Sequence, residues 1–325
     1  MSEETVPAIE IKGLTKTYAP DKKSKDKNAP AKKALHEIDL TIPKGSFFAL
    51  LGPNGAGKST MINIMASLVL KTGGEVKIWG HDLDKDVRKA KSSIGVVPQE
   101  INFDPFFTPR KLLDIQAGMY GVPKAQRRTE ELLDLVGLAD KAESYARSLS
   151  GGMQRRLMVA KAMVHNPPVL ILDEPTAGVD VELRQQLWKN VRALNEQGTT
   201  ILLTTHYLEE AEELCDQIAI INNGRIIANE PKDILLNRIN GKAIRFRLSE
   251  PLDVVPANML AMGFEKTGKQ SVRLQYTPEE ISMDKIIAAV HAEKLSIADI
   301  STDESHLEDI FLQLTRDDNT EQNAA

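Results

Sequence analysis

Apolar and polar positions alternate near the N-terminus, at Ile9 and Ile11 and again at Ile38, Leu40 and Ile42. That period of two predicts a pair of strands with one face buried and one in solvent. Short unbroken apolar runs follow at Phe47 to Leu51, Val169 to Leu172 and Ile218 to Ile221. Runs of this length, bounded by Gly, Pro or Asp, predict strands of a parallel sheet covered on both faces. Residues 100–165 read as mainly helical, with Met153, Leu157, Ala160 and Val164 along one helical face. Asp180 is placed to cap a helix whose Leu183, Leu187, Val191 and Leu194 share a side and which ends near Gly198. The segment TTILLTTH, closing on His206, predicts a strand, and a short helix follows from Tyr207 to Cys215. QIAIINNGRIIAN predicts a hairpin, because Asn223-Gly224 supplies the positive φ angles of a tight primed turn.

After about Asn237 the pattern changes to short strands at 243–248 and 271–276 and amphipathic helices at 284–293 and 305–315. The chain therefore divides into a large domain over 8–236, a small α+β domain over 240–316, and a polar tail over 317–325 expected to be disordered. Pro20 to Lys33 holds six lysines and two aspartates without an apolar anchor. It reads as a solvated, mobile Lys-rich insertion, with contact to anionic headgroups or nucleic acid as the alternative. The net charge of -5 marks no nucleic-acid binder overall. A single cysteine, Cys215, allows no internal disulfide and fits a reducing compartment. The start carries acids and no apolar stretch, unlike a secretion signal. No apolar run approaches the roughly 18 residues that span a bilayer, so a membrane role has to come through a partner.

The strongest chemical signal is Gly52-Pro53-Asn54-Gly55-Ala56-Gly57-Lys58-Ser59, followed by Thr60. It fits the phosphate-binding loop G-x-x-x-x-G-K-[ST], between a strand and a helix as that loop requires. Glycines let backbone N–H groups turn towards phosphates, and the helix N-terminus adds partial positive charge. Lys58 can reach the β- and γ-phosphates, and the Ser59 hydroxyl can ligate Mg²⁺. In VLILDEP, Asp173 and Glu174 end an apolar strand, at the sheet edge where α/β folds bind ligands. There Asp173 suits the Mg²⁺ shell and Glu174 suits polarising a water. Ser150, Gly151 and Gly152 in LSGGM open a second helix N-terminus able to hold an anion. With one phosphate cradle already present, this second one suggests service to another copy in a symmetric dimer.

These motifs, with Gln99 in VVPQE, Asp180 in TAGVD and His206 in TTH, resemble in order and spacing the nucleotide-binding domain of ABC transporters over about residues 8–235. The resemblance implies an α/β P-loop ATPase core with N-terminal antiparallel strands, a helical signature subdomain, and ATP with Mg²⁺ as ligands. It implies Glu174 as catalytic base and His206 as the switch on the γ-phosphate. Gln99 is then the sensor of Mg²⁺ and water, and Asp180 lies on the loop joining two sites. Ser150 and Gly152 act on the opposite subunit's γ-phosphate. Tyr18 corresponds to the aromatic that stacks on adenine, although the Lys-rich insertion separates it from the P-loop; a strand-end aromatic is the other reading. Met153 stands where glutamine is commonest in the signature. HYLEEAEELCDQIAIINNGRI and SHLEDIFLQLT resemble ATPase subunits of drug, lipid or polysaccharide exporters, above all the bacterial YadG type with its separate six-helix permease. That likeness implies a homodimer held peripherally at the cytoplasmic face of the inner membrane by a polytopic permease, with no nucleic-acid partner. Phe103, Pro105, Phe106 and Phe107 lie where the family receives a permease's coupling helix, and core filling is their other reading. A soluble relative acting on ribosomes or DNA would carry two cassettes or long coiled coils. A non-hydrolysing module would be expected to lack Glu174.

Overall fold

The alternating N-terminal residues form strands β1 (Ile9–Tyr18) and β2 (Lys32–Ile42), antiparallel to one another, and Phe47–Leu51 forms β3 with every residue buried. The computed structural model describes residues 6–19, 31–177, 179, 181–237, 242–276, 281–303 and 307–324. Most of the Lys-rich insertion and Asp180 lie outside them.

Helix α1 (Lys58–Met65) follows the P-loop, then β4 (Gly73–Ile78), β5 (His81–Asp82), α2 (Val87–Ser92) and β6 (Ile94–Val97). The segment expected to be helical holds α3 (Pro109–Met119), α4 (Thr129–Leu135) and α5 (Gly151–Ala162). Strand β7 (Val169–Asp173), α6 (Val181–Glu196), β8 (Thr200–Thr204) and α7 (Leu208–Leu214) lead to the hairpin β9 (Gln217–Asn222) and β10 (Arg225–Pro231). Asn223 and Gly224 between them have φ of 45° and 73°, as the primed turn requires.

Two sheets result. One is four-stranded in the order β2-β1-β4-β5, and the other six-stranded in the order β10-β9-β3-β8-β7-β6. In the second sheet β9, β3, β8, β7 and β6 are parallel, with Phe47 opposite Ile201 and Val169 opposite Thr200. Met61, Ile62, Ile64 and Met65 of α1 share one buried cluster with Ile9 and Ile11 of the first sheet and Phe48 and Leu50 of the second. Helix α5 corrects the one-face expectation: Arg155 through Ala160 are all buried, and Val164 lies beyond its end.

Residues Met1–Lys232 form one compact unit and Asp233–Ala325 a second. The division comes a little before the compositional change expected near Asn237, because all of α8 (Lys232–Asn237) but its first residue belongs to the second unit. There β11 (Lys242–Leu248), α9 (Ala257–Ala261), β12 (Phe264–Gly268), β13 (Ser271–Tyr276), α10 (Met283–Ala292) and β14 (Ile297–Asp303) precede α11 (Leu307–Ala324). Its antiparallel sheet runs β12-β13-β11-β14 around Ile244, Phe246, Val272 and Leu274, and Ile286 and Val290 of α10 join the same cluster. Two of these strands were not foreseen. Only Phe264 of β12 is buried, so no alternation shows there. The disordered tail is also corrected: α11 continues through Ala324. Its first turns are anchored by the buried Leu307 and Ile310.

Candidate active site

Because β6, β7, β8 and β3 are adjacent and parallel, their C-terminal ends share one edge of the sheet. From β3 the chain enters the P-loop. Gly55 and Gly57 have φ of 84° and 116°, values that a side chain would strain. Gly57 caps α1, leaving the first N–H groups of that helix turned into the loop. A Cβ on Gly52 would lie 2.3 Å from the Ile221 carbonyl oxygen, so β3 and β9 meet too closely there for any side chain. Gly52→Ala is expected to destabilise the fold by about 1–3 kcal/mol through overpacking, read as a lower urea midpoint with unchanged slope.

The Lys58 ammonium donates to the Gly52 carbonyl at 2.6 Å and the Pro53 carbonyl at 3.2 Å. Burial lowers its pKa, while the carboxylates of Glu174 and Asp173 pull it back up. The loop is braced from outside: Gly224 N–H donates to Ala56 O at 2.9 Å, and His36 N–H donates to Gly224 O at 2.8 Å.

At the end of β7, Asp173 Oδ1 accepts a 2.6 Å hydrogen bond from the Thr204 hydroxyl. Burial raises the Asp173 carboxyl, and the Thr204 bond works against that rise. Glu174 has φ of 46°, rare outside glycine, and its N–H donates to Thr204 O at 3.0 Å. Its Oε2 accepts from Gln99 Nε2 at 3.0 Å and lies 3.3 Å from His206 Nδ1. Gln99, Glu174 and His206, far apart in sequence, are thus brought to one carboxylate oxygen.

Ser150 caps α5, its hydroxyl accepting from Met153 N–H at 3.3 Å. Among the described residues its side-chain hydrogen bonding is local, and none is recorded to the P-loop. Arg155, on the same helix, donates to Gln99 O at 2.5 Å and Pro98 O at 3.2 Å, fixing the backbone that carries Gln99. Tyr18 ends β1 opposite Lys32, with the Lys16 ammonium 4.7 Å from its ring centre. Its partner strand β2 passes the P-loop, since a Cβ on Gly57 would lie 2.8 Å from Leu35 Cδ2.

Sequence reasoning missed Thr204 and Arg155. Thr204 looks like any strand-end threonine. Arg155 gave one usable signal, since a run of two arginines on a helix with apolar neighbours is costly to bury without carbonyl partners.

A sequence-family profile described as ABC transporter matches residues 35–177. The linearmycin resistance ATP-binding protein LnrL of Bacillus subtilis is 36% identical over 89% of this chain and 96% of its own length. The daunorubicin/doxorubicin resistance ATP-binding protein DrrA of Streptomyces peucetius is 33% identical over 100% of this chain and 98% of its own. The Nod factor export ATP-binding protein I of Ralstonia nicotianae is 37% identical over 72% and 71%. Among solved structures, an ATP-binding subunit of an ABC transporter matches with TM-score 0.62 and 28% identity, over 71% of this chain and 92% of the other. A dimeric cassette in a post-hydrolysis state, bound to ADP and Pi, matches with TM-score 0.60 and 28% identity over 69% and 98%. Relatives this similar along nearly their whole length show that the chain belongs to the ABC transporter family, as one of its ATP-binding, ATP-hydrolysing subunits.

Proposed function

We propose that two copies of the chain close around two ATP molecules and drive a separate polytopic permease, for export, at the cytoplasmic face of the inner membrane. The observation that carries this reading is the meeting of Gln99 and His206 on the Glu174 carboxylate, on the sheet edge that also bears the P-loop. In this reading the P-loop N–H groups and Lys58 hold the phosphates, and Glu174 takes a proton from the attacking water. His206 and Gln99 fix the orientation of that carboxylate. Ser59 and Asp173, with Gln99, would hold Mg²⁺, and the ion would supply positive charge to offset that of the phosphates. A hydroxyl and a half-buried carboxylate braced by Thr204 are hard oxygen donors that fit this ion. Tyr18 stacks on adenine, and Asp180 joins the two sites.

The local bonding of Ser150 supports a role on the partner's nucleotide: its hydroxyl caps a formed helix end, a site able to hold an anion. A permease contact is supported by a groove of about 520 Å³ lined by Ala66, Leu68, Val96, Met119, Tyr120 and Met158. Leu68 and Met119 are 76% and 77% exposed, and Phe106 and Phe107 are also exposed, which disfavours core filling. Among the described residues no helix is long and apolar enough to cross a membrane, so the membrane-crossing part is assigned to the partner. The relatives' names, resistance to linearmycin and to daunorubicin/doxorubicin and export of Nod factor, support export.

Turnover per chain tests the shared site. It should rise with protein concentration as dimers form, and Ser150→Arg should abolish it, by about a hundredfold or more, while ATP still binds. Turnover per chain that stays constant down to concentrations where light scattering reports monomers would contradict the reading.

A further inference from the structure

Thr176 lies just after Glu174, and Thr205 directly precedes His206. Both threonines are 1% exposed, and both hydroxyls donate to one atom, Oε2 of Glu210, at 3.0 and 2.8 Å. Glu210 belongs to α7 and is itself 4% exposed. The Thr205 hydroxyl also accepts from the Tyr207 N–H at 3.0 Å, so His206 is tethered through both of its neighbours. On the other side Arg184 of α6 brings its Nε to 3.5 Å from Glu210 Oε1. A carboxylate this deep is costly to desolvate, and such a buried group is weak support for stability as such. What its two hydrogen bonds define is geometry, because one oxygen fixes the distance between two separate loops.

We propose that Glu210 is a positioning residue for ATP hydrolysis: by holding Thr176 and Thr205 on one oxygen, it sets His206 against Glu174. The proposal rests on the assignment of Glu174 and His206 to catalysis. The His206 side chain, 47% exposed, approaches Glu174 Oε2 at 3.3 Å, so its reach depends on how its flanking residues are anchored. Thr176 anchors the other side of the gap, following a Glu174 held in a left-handed backbone conformation. Neither Glu210 nor the two threonines need touch nucleotide for this.

The test combines ATP turnover by the full chain with NMR of labelled histidine rings. The chain has six histidines, and a His206→Gln variant identifies the signal of residue 206. Glu210→Ala is expected to lower kcat by about 10- to 100-fold through misplacement, with KM for ATP changed less than about twofold. The His206 resonance should move while the signals of the other histidines stay. Glu210→Gln should recover most of kcat, because its amide oxygen can still accept both hydroxyls. Should Glu210→Ala fail to fold, the near-isosteric Thr205→Val should give the same kcat loss and the same resonance shift, and Thr205→Ser should restore both. An unchanged kcat in a folded Glu210→Ala or Thr205→Val protein overturns the clamp. So does a lowered kcat with the His206 resonance unmoved. If His206→Gln alone leaves turnover unaltered, the catalytic assignment fails first, and the clamp fails with it.

Discussion

Replacing Glu174 by Gln should slow ATP turnover by about a thousandfold while ATP continues to bind, since removing a general base costs roughly 10²–10⁴ in rate. The substitution is nearly isosteric. Its amide oxygen, in the place of Oε2, can still accept from Gln99 Nε2 and face His206 Nδ1, so the local geometry survives. What it cannot do is take a proton. The groups proposed to hold phosphate, the P-loop N–H groups and Lys58, lie between β3 and α1 and at the start of α1 rather than on β7, and the substitution leaves them untouched. Phosphate release gives the rate, and titration with a fluorescent ATP analogue gives the affinity. With chemistry blocked and binding intact, saturating Mg-ATP should hold the variant as a dimer in size-exclusion chromatography. A variant that keeps more than about a tenth of wild-type turnover would move the base elsewhere.

Lys58→Ala should act at the opposite end of the reaction, on binding as well as rate. The ammonium is buried, held by the Gly52 and Pro53 carbonyls, and faces both Asp173 and Glu174. A cation so placed is worth about 1.5–3 kcal/mol as a hydrogen-bond donor to a charged group, or roughly 10- to 150-fold in ATP affinity. Turnover should fall further, by about 10²–10³, because charge on the transferring phosphoryl group loses a preorganised partner. Glu174→Gln and Lys58→Ala therefore separate the two halves of the site: one protein binds without turning over, and the other hardly binds. Equal ATP affinity in the two variants would undo that division.

Some of this was legible in the chain and some was not, for physical reasons. The P-loop was legible because its motif is local: Gly52, Gly55, Gly57, Lys58 and Ser59 fall within eight consecutive residues. The hairpin at Asn223-Gly224 was legible for the same reason. Gln99 and His206 had no local signal of their own and were recognised only by their order among the other motifs. Their convergence on Glu174 depends on β6, β7 and β8 lying side by side, which is a property of topology. Thr204 and Arg155 meet their partners across long sequence separations, as Glu210 does with Thr176, and each resembles an ordinary strand-end, helix or surface residue when read alone. In the second unit the weak patterns failed first. β12 buries a single residue, and α11 extends through a polar stretch that composition alone reads as unstructured.

The most direct measurement is to purify the tagged Glu174→Gln chain from gently solubilised membranes in Mg-ATP and to identify what accompanies it. The account predicts a polytopic membrane protein in an amount comparable to the chain, released when Mg-ATP is withdrawn or when Leu68 and Met119 in the exposed groove are replaced by charged residues. Recovery only from the soluble fraction, together with ribosomal or DNA-bound proteins, would leave an ATPase but contradict the transport role.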